Sequence, residues 1–116
     1  MSDVIIYHNP RCSKSRATLA LLRERGIVPE VIEYLKNPPD EHDLARILGM
    51  LELEPIALIR KGEAEYVDLG LEEIKEDRAA LIQHMITHPI LIDRPIVVKN
   101  NQARIGRPPE KVLEIL

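Results

Sequence analysis

The chain has 116 residues, and 45% of them are hydrophobic. A chain of this length and composition can bury a core without metal or disulfide support, so we predict a single domain over residues 1–116. The net charge of −3 argues against a broad basic surface for nucleic acid, but it permits a local site for a small anion. The one cysteine, Cys12, excludes an internal disulfide, and no zinc-type spacing of cysteine and histidine is present, so we predict no metal site.

The N-terminus lacks the charged segment and long apolar stretch of a secretory signal. The longest apolar runs are far too short to cross a bilayer. A lone cysteine is typical of a reducing compartment. We therefore predict a cytoplasmic protein that has no membrane partner.

The first part of the chain reads as a β-α-β unit. Val4–Tyr7 is a short run rich in β-branched residues and predicts a buried strand. The residues from Arg16 to Arg25 have helical periodicity, and Gly26 stands where a helix C-terminal glycine belongs. Val28–Leu35 predicts a second strand. Cys12 therefore lies at the junction between the first strand and the first helix.

The middle of the chain is predicted to be helical. Asp40 is a suitable N-cap for a helix over Glu41–Leu51, and Pro55–Ile59 predicts a short helical turn. The polar stretch Gly70–Asp77 reads as a loop, and Asp77–His88 as another helix that ends before Pro89.

The last part predicts a β-hairpin followed by a helix. Ile96–Val98 and Ala103–Ile105 flank a polar turn, and a final helix is expected over Pro109–Leu116. The first β-α-β implies a parallel pair, and the hairpin adds antiparallel strands to the same sheet. This order predicts an α/β thioredoxin-like fold, a mixed sheet flanked by helices, with a helical insertion between its βαβ and ββα halves.

Cys12 has the setting of a reactive thiol. Free N–H groups and the helix dipole at a helix N-terminus favour a thiolate. The flanking residues supply cations and hydroxyl groups: Arg11, Ser13, Lys14, Ser15 and Arg16. A single cysteine is more often an inert core residue, but this one lies outside every apolar run. Thr18 stands six positions after Cys12, where low-molecular-weight phosphatase loops carry arginine, so an anion would need arginines distant in sequence.

Three such arginines lie at the ends of predicted elements: Arg60, Arg94 and Arg107. The planar guanidinium suits a tetrahedral oxyanion because it donates two parallel hydrogen bonds and keeps its charge. Each could equally be an ordinary solvated charge. Pro95 stands where a thioredoxin-like fold has a cis proline facing the first helix, and a cis bond would bring Arg94 to Cys12.

Four segments resemble the glutaredoxin-coupled arsenate reductases. They are Tyr7–Arg16 (YHNPRCSKSR), Tyr34–Pro39 (YLKNPP), Leu58–Lys61 (LIRK) and His88–Val98 (HPILIDRPIVV). The resemblance covers essentially the whole chain and keeps its spacing. It implies reduction of arsenate to arsenite through a covalent Cys12–arsenic intermediate, with glutathione as co-substrate, glutaredoxin as partner and no bound cofactor.

The resemblance also assigns roles to residues. Cys12 matches the family's nucleophile, and His8 matches a histidine that helps to keep the cysteine ionised. We assign substrate binding to Arg60, Arg94, Arg107 and Ser15, and structural roles at the site to Asn9, Arg16 and Pro95.

Two other functions compete with this interpretation. Spx-like regulators share the fold and bind RNA polymerase, but they typically carry a Cys-x-x-Cys switch, and here Ser15 holds the second cysteine position. A glutathione-dependent thiol-disulfide reductase would need Cys12 but not the three arginines.

Overall fold

The computed structural model describes residues 3–116, which form two compact units. One unit consists of residues 3–37 and 94–116, and the other of residues 38–93. The second unit is therefore the predicted helical insertion, placed in sequence between the two halves of the first. The expectation of one domain over residues 1–116 stays a prediction.

The first unit is built on a four-stranded mixed sheet. Its strands are β1 (Val4–His8), β2 (Glu30–Glu33), β3 (Ile96–Lys99) and β4 (Gln102–Ile105). The strand order is β2-β1-β3-β4, with β1 parallel to β2 and the other neighbouring pairs antiparallel. These directions confirm the predicted parallel unit and hairpin, and the fold is thioredoxin-like.

One face of this sheet is covered by α1 (Ser13–Glu24) and by a 3₁₀ helix, Pro109–Ile115. The core between them consists of aliphatic side chains: Val4, Ile6, Leu19, Leu22, Val97, Val112 and Ile115. Ile6 and Val97 are paired across β1 and β3, so their side chains point to the same face. Burial of this face is the main force that holds α1 on the sheet.

The second unit contains four short helices and two 3₁₀ segments. The helices are α2 (Glu41–Leu51), α3 (Pro55–Leu58), α4 (Ala64–Asp68) and α5 (Arg78–Thr87), and the 3₁₀ segments are Leu71–Ile74 and Pro89–Leu91. Asp40 and Asp77 cap α2 and α5 by accepting hydrogen bonds from the backbone N–H groups of Asp43 and Ala80. No helix within residues 3–116 has the length and hydrophobicity that a bilayer crossing needs.

Several predicted boundaries are wrong. The second strand begins at Glu30 rather than Val28, because Pro29 has no N–H to donate to a neighbouring strand. The stretch Gly70–Asp77 is partly a 3₁₀ helix, and α4 was not predicted. The last helix is a 3₁₀ helix that spans Pro109–Ile115, and it begins at the second of two consecutive prolines.

Candidate active site

Cys12 is the N-cap residue of α1. It has extended backbone angles, and its carbonyl accepts the first helical hydrogen bond, from Arg16 N at 2.9 Å. The residue is 9% exposed. Serine, threonine, aspartate or asparagine usually occupies this position, because a side-chain acceptor there meets the free N–H groups of the first turn. Here the position holds a cysteine, whose side chain makes no capping hydrogen bond.

The loop before Cys12 is held by its own hydrogen bonds. Asn9 Oδ1 accepts from Arg11 N at 3.0 Å, and Asn9 O accepts from Cys12 N at 3.0 Å. Arg16 Nη1 donates to Pro10 O at 2.9 Å, which ties the loop to α1. The structure thus gives Asn9 and Arg16 contacts that fit the predicted structural roles. In this loop the Arg16 guanidinium bonds to backbone.

The sheet topology brings Arg94 and Arg107 to Cys12. Tyr7, one residue before the end of β1, pairs with Ile96 at the start of β3, and Ile96 pairs with Ile105 at the end of β4. The segments beyond these strand ends therefore lie side by side. Arg107 Nη2 lies 3.6 Å from Cys12 Sγ, and Arg107 Nε donates to Arg94 O at 2.8 Å. The Arg94–Pro95 bond is cis, and so is Arg107–Pro108.

Ser15 is completely buried and holds His8. Ser15 Oγ lies 2.6 Å from His8 Nδ1 and accepts a hydrogen bond from Asn9 N at 3.0 Å. Burial lowers the pKa of His8, and Arg23 and Arg16 lower it further, while Glu33 opposes them. The lowered pKa favours an uncharged His8 ring at neutral pH, and the ring contacts Ser15 Oγ. The predicted role of His8 in keeping Cys12 ionised stays a prediction.

The pKa of Cys12 is lowered although burial acts to raise it. The opposing groups are hydrogen-bond donors: the backbone N–H of Ser15, the side chain of Arg94 and the backbone N–H of Lys14, with the Arg94 charge adding to them. These donors stabilise the thiolate more than burial disfavours it. The arrangement can therefore present an ionised sulfur beside guanidinium groups.

Arg60 belongs to the second unit, where backbone hydrogen bonds join its segment to the 3₁₀ segment Pro89–Leu91. Arg60 N donates to Leu91 O at 2.8 Å. The Arg60 guanidinium lies near two carboxylates, with Asp93 Oδ1 at 3.5 Å and Glu63 Oε2 at 3.9 Å. Its predicted role in anion binding stays a prediction.

The sequence predicted that backbone N–H groups at the start of α1 act on the sulfur, and those of Ser15 and Lys14 do so. One contributor was missed: Gly106 packs against Thr18 next to Arg107. This contact joins residues far apart in sequence, so no local pattern reveals it. Within residues 3–116 no three histidine, cysteine or acidic side chains come together as a metal site.

A small cavity borders the loop that precedes Cys12. Its volume is about 280 Å³, and His8, Asn9, Arg11, Glu33 and Lys36 are among its lining residues. Charged groups of both signs therefore line an open space beside the loop.

Comparison with known protein families identifies the family of this chain. The sequence profile of the ArsC family matches residues 7–115. This chain belongs to the ArsC family.

The relatives of this ArsC-family chain match it over nearly its whole length. An uncharacterised Escherichia coli K12 protein, YfgD, is 53% identical over 98% of this chain and 97% of its own. An arsenate reductase of Neisseria meningitidis serogroup A is 44% identical over all of both chains. The structure of an arsenate reductase from Vibrio cholerae is 53% identical, with a TM-score of 0.92 over 97% of each chain.

Proposed function

We propose that this ArsC-family chain is an arsenate reductase, an oxidoreductase that uses Cys12 as its nucleophile. The observation that carries the proposal is the 3.6 Å contact between Arg107 Nη2 and Cys12 Sγ, beside Arg94 and the first N–H groups of α1. Cations and N–H groups at a helix N-terminus suit an incoming oxyanion as well as a thiolate. The names of the closely similar relatives support arsenate as that oxyanion.

The proposed first step forms a sulfur–arsenic bond. The Cys12 thiolate attacks arsenic, and one arsenate oxygen leaves as water after taking up protons. Arg94 and Arg107 hold the remaining oxygens, and their charges stabilise the added negative charge as the bond forms. Arg60 is proposed as a third ligand on the sequence resemblance alone.

The second step needs a thiol from outside the chain, because Cys12 is the only cysteine. We propose that a glutathione thiolate attacks Cys12 Sγ and that the sulfur–arsenic bond breaks, leaving its electron pair on arsenic. Arsenic is thereby reduced and released as arsenite, while the two sulfur atoms are oxidised to a mixed disulfide. Glutaredoxin then reduces this disulfide by thiol–disulfide exchange and restores the Cys12 thiolate.

A coupled assay of arsenate reduction with glutathione and glutaredoxin tests the proposal. Cys12→Ser is expected to abolish turnover, because a serine hydroxyl is not ionised at neutral pH and cannot be oxidised to a mixed disulfide as a thiol is. Arg94→Gln and Arg107→Gln are expected to lower kcat/KM by roughly tenfold to a hundredfold, the size of one or two lost charge-assisted hydrogen bonds.

Arg104→Gln is the matched control, since Arg104 makes a surface ion pair with Glu114 at 2.8 Å. Its turnover should equal that of the parent chain. Full arsenate reduction by Cys12→Ser would refute the proposal. Glutathione–disulfide exchange that survives all the arginine substitutions, without arsenate reduction by the parent chain, would instead favour a thiol-disulfide reductase.

A further inference from the structure

Gly106 has no room for a side chain. A Cβ at this position would collide with Thr18 Oγ1 and would lie 2.8 Å from Pro95 Cγ. Neither neighbour can swing away, because Thr18 is β-branched and completely buried and Pro95 is a closed ring. Thr18 Oγ1 is also held by donating to Lys14 O at 2.8 Å. The Gly106 backbone therefore lies directly on α1.

This close approach fixes where the next residue begins. Gly106 N donates to Pro95 O at 2.9 Å, which holds the backbone from which Arg107 extends. The Arg107 residue is itself exposed, so packing of its side chain provides little restraint. Its guanidinium is directed by the backbone position and by the hydrogen bond from Nε to Arg94 O.

Thr18 lies on the helix whose N-cap is Cys12. Because an α-helix is rigid over this length, a segment seated on Thr18 has a fixed distance to the sulfur. We propose that Thr18 and Gly106 are positioning residues: their contact, possible only without a side chain at position 106, seats Arg107 so that its guanidinium meets Cys12. The benefit for oxyanion binding rests on the proposed function, but the contact itself does not.

The two alkylating agents iodoacetate and iodoacetamide test this contact without arsenate. Iodoacetate is an anion and iodoacetamide is neutral, so the ratio of their rates with Cys12 reports the positive charge beside the sulfur. Arg107→Gln should lower this ratio by roughly threefold to tenfold, the effect of one partly solvated charge-assisted hydrogen bond. Gly106→Ala should lower it toward the same value, because the methyl group displaces the Arg107 backbone.

Exchanging the sizes of the side chains at positions 18 and 106 distinguishes a loss of Arg107 positioning from general damage to the fold. Thr18→Ala removes the atoms on which Gly106 lies and should also lower the ratio. The double variant Thr18→Ala with Gly106→Ala places a methyl group where the threonine atoms were, so its ratio should return in part toward that of the parent chain. Gly62→Ala is the control, since no atom lies within 4 Å of a Cβ at that position.

Arsenate kinetics provide a second readout, which depends on the proposed function. Gly106→Ala should raise KM for arsenate more than it lowers kcat, and the double variant should reverse the change. Thermal melting and the iodoacetamide rate identify variants that have lost the fold, because unfolding exposes the sulfur to both reagents.

The proposal is overturned if Gly106→Ala and Thr18→Ala, whichever of them folds, keep the ratio of the parent chain. It is also overturned if Gly106→Ala lowers the ratio as much in an Arg107→Gln background as in the parent, because the effect would then not act through Arg107. If Cys12 is alkylated at the expected ratio in every variant but the parent chain reduces no arsenate, the proposed function is contradicted and the positioning inference stands.

Discussion

At the scale of single residues, Cys12 places a thiol at the N-cap position, where a side chain with an oxygen acceptor is usual. The Cys12 residue is 9% exposed, and desolvation alone would favour the protonated thiol. The N–H groups of the first turn and Arg94 reverse this preference and lower the pKa of the thiol. The Cys12 thiol is therefore shielded from solvent and yet ionises more readily than an ordinary cysteine, which suits nucleophilic attack beside cationic groups.

His8 is a buried base that the fold keeps neutral. Its pKa is lowered mainly by burial, and its Nδ1 atom is 2.6 Å from Ser15 Oγ. We infer that the ring orients Ser15, whose own N–H acts on the sulfur. On this inference, His8 acts as a positioning residue rather than as a second charge at the site.

The neutral state of His8 predicts a dependence of stability on pH. Below about pH 6.5 the imidazole of the unfolded chain takes up a proton that the folded chain binds only at lower pH, so the free energy of unfolding falls as the pH falls. Urea unfolding of the parent chain and His8→Asn between about pH 5 and pH 8 measures the difference. The variant should lose part of this slope, and the exposed His42→Asn should keep it. Equal slopes in all three chains would contradict the assignment.

At the scale of elements, local interactions define where α1 begins and ends. Ile27 N donates to Leu22 O and Gly26 N donates to Arg23 O, each at 3.0 Å, which is the Schellman pattern of a helix C-terminus. Gly26 has a φ of 76°, a conformation that costs other residues free energy. Cys12 at the other end is thus carried by a helix with defined limits.

The positions of two glycines relative to their helices predict opposite effects on stability when each is replaced by alanine. Gly26→Ala should lower the free energy of unfolding by about 1 kcal/mol, because alanine is strained at this φ. Gly49→Ala, in the interior of α2 with nothing within 4 Å of the added Cβ, should raise it by up to about 1 kcal/mol. Denaturant unfolding of both variants checks the signs. A neutral or stabilising Gly26→Ala would be inconsistent with the Schellman end.

Elements with strong local signals could be predicted from the sequence, and weak ones could not. The Asp40 cap and the apolar spacing of Leu44, Ile47 and Leu48 gave α2 its observed bounds. In contrast, α4 has five residues and no side-chain cap, so it offers too little periodicity to recognise. The last helix has helical apolar spacing, but its 3₁₀ geometry is not encoded in that spacing.

At the scale of the whole molecule, the chain is acidic but the site is cationic. The net charge is −3, whereas Arg94 and Arg107 act at Cys12 from segments that the sheet brings together. Their positions beside predicted turns could be recognised in the sequence, but their convergence needed the pairing of β1, β3 and β4. The contact of Gly106 with Thr18 depends on packing between distant segments and could not be predicted.

The pH dependence of Cys12 alkylation tests most directly whether the fold ionises this sulfur. Iodoacetamide reacts with the thiolate, so its rate follows the ionised fraction, and an unperturbed cysteine reaches half its maximal rate at about pH 8.5. The parent chain should reach it at a lower pH, and Arg94→Gln should move the midpoint upward because a donor to the thiolate is lost. A parent midpoint at or above pH 8.5, unchanged by Arg94→Gln, would contradict the proposed activation of Cys12.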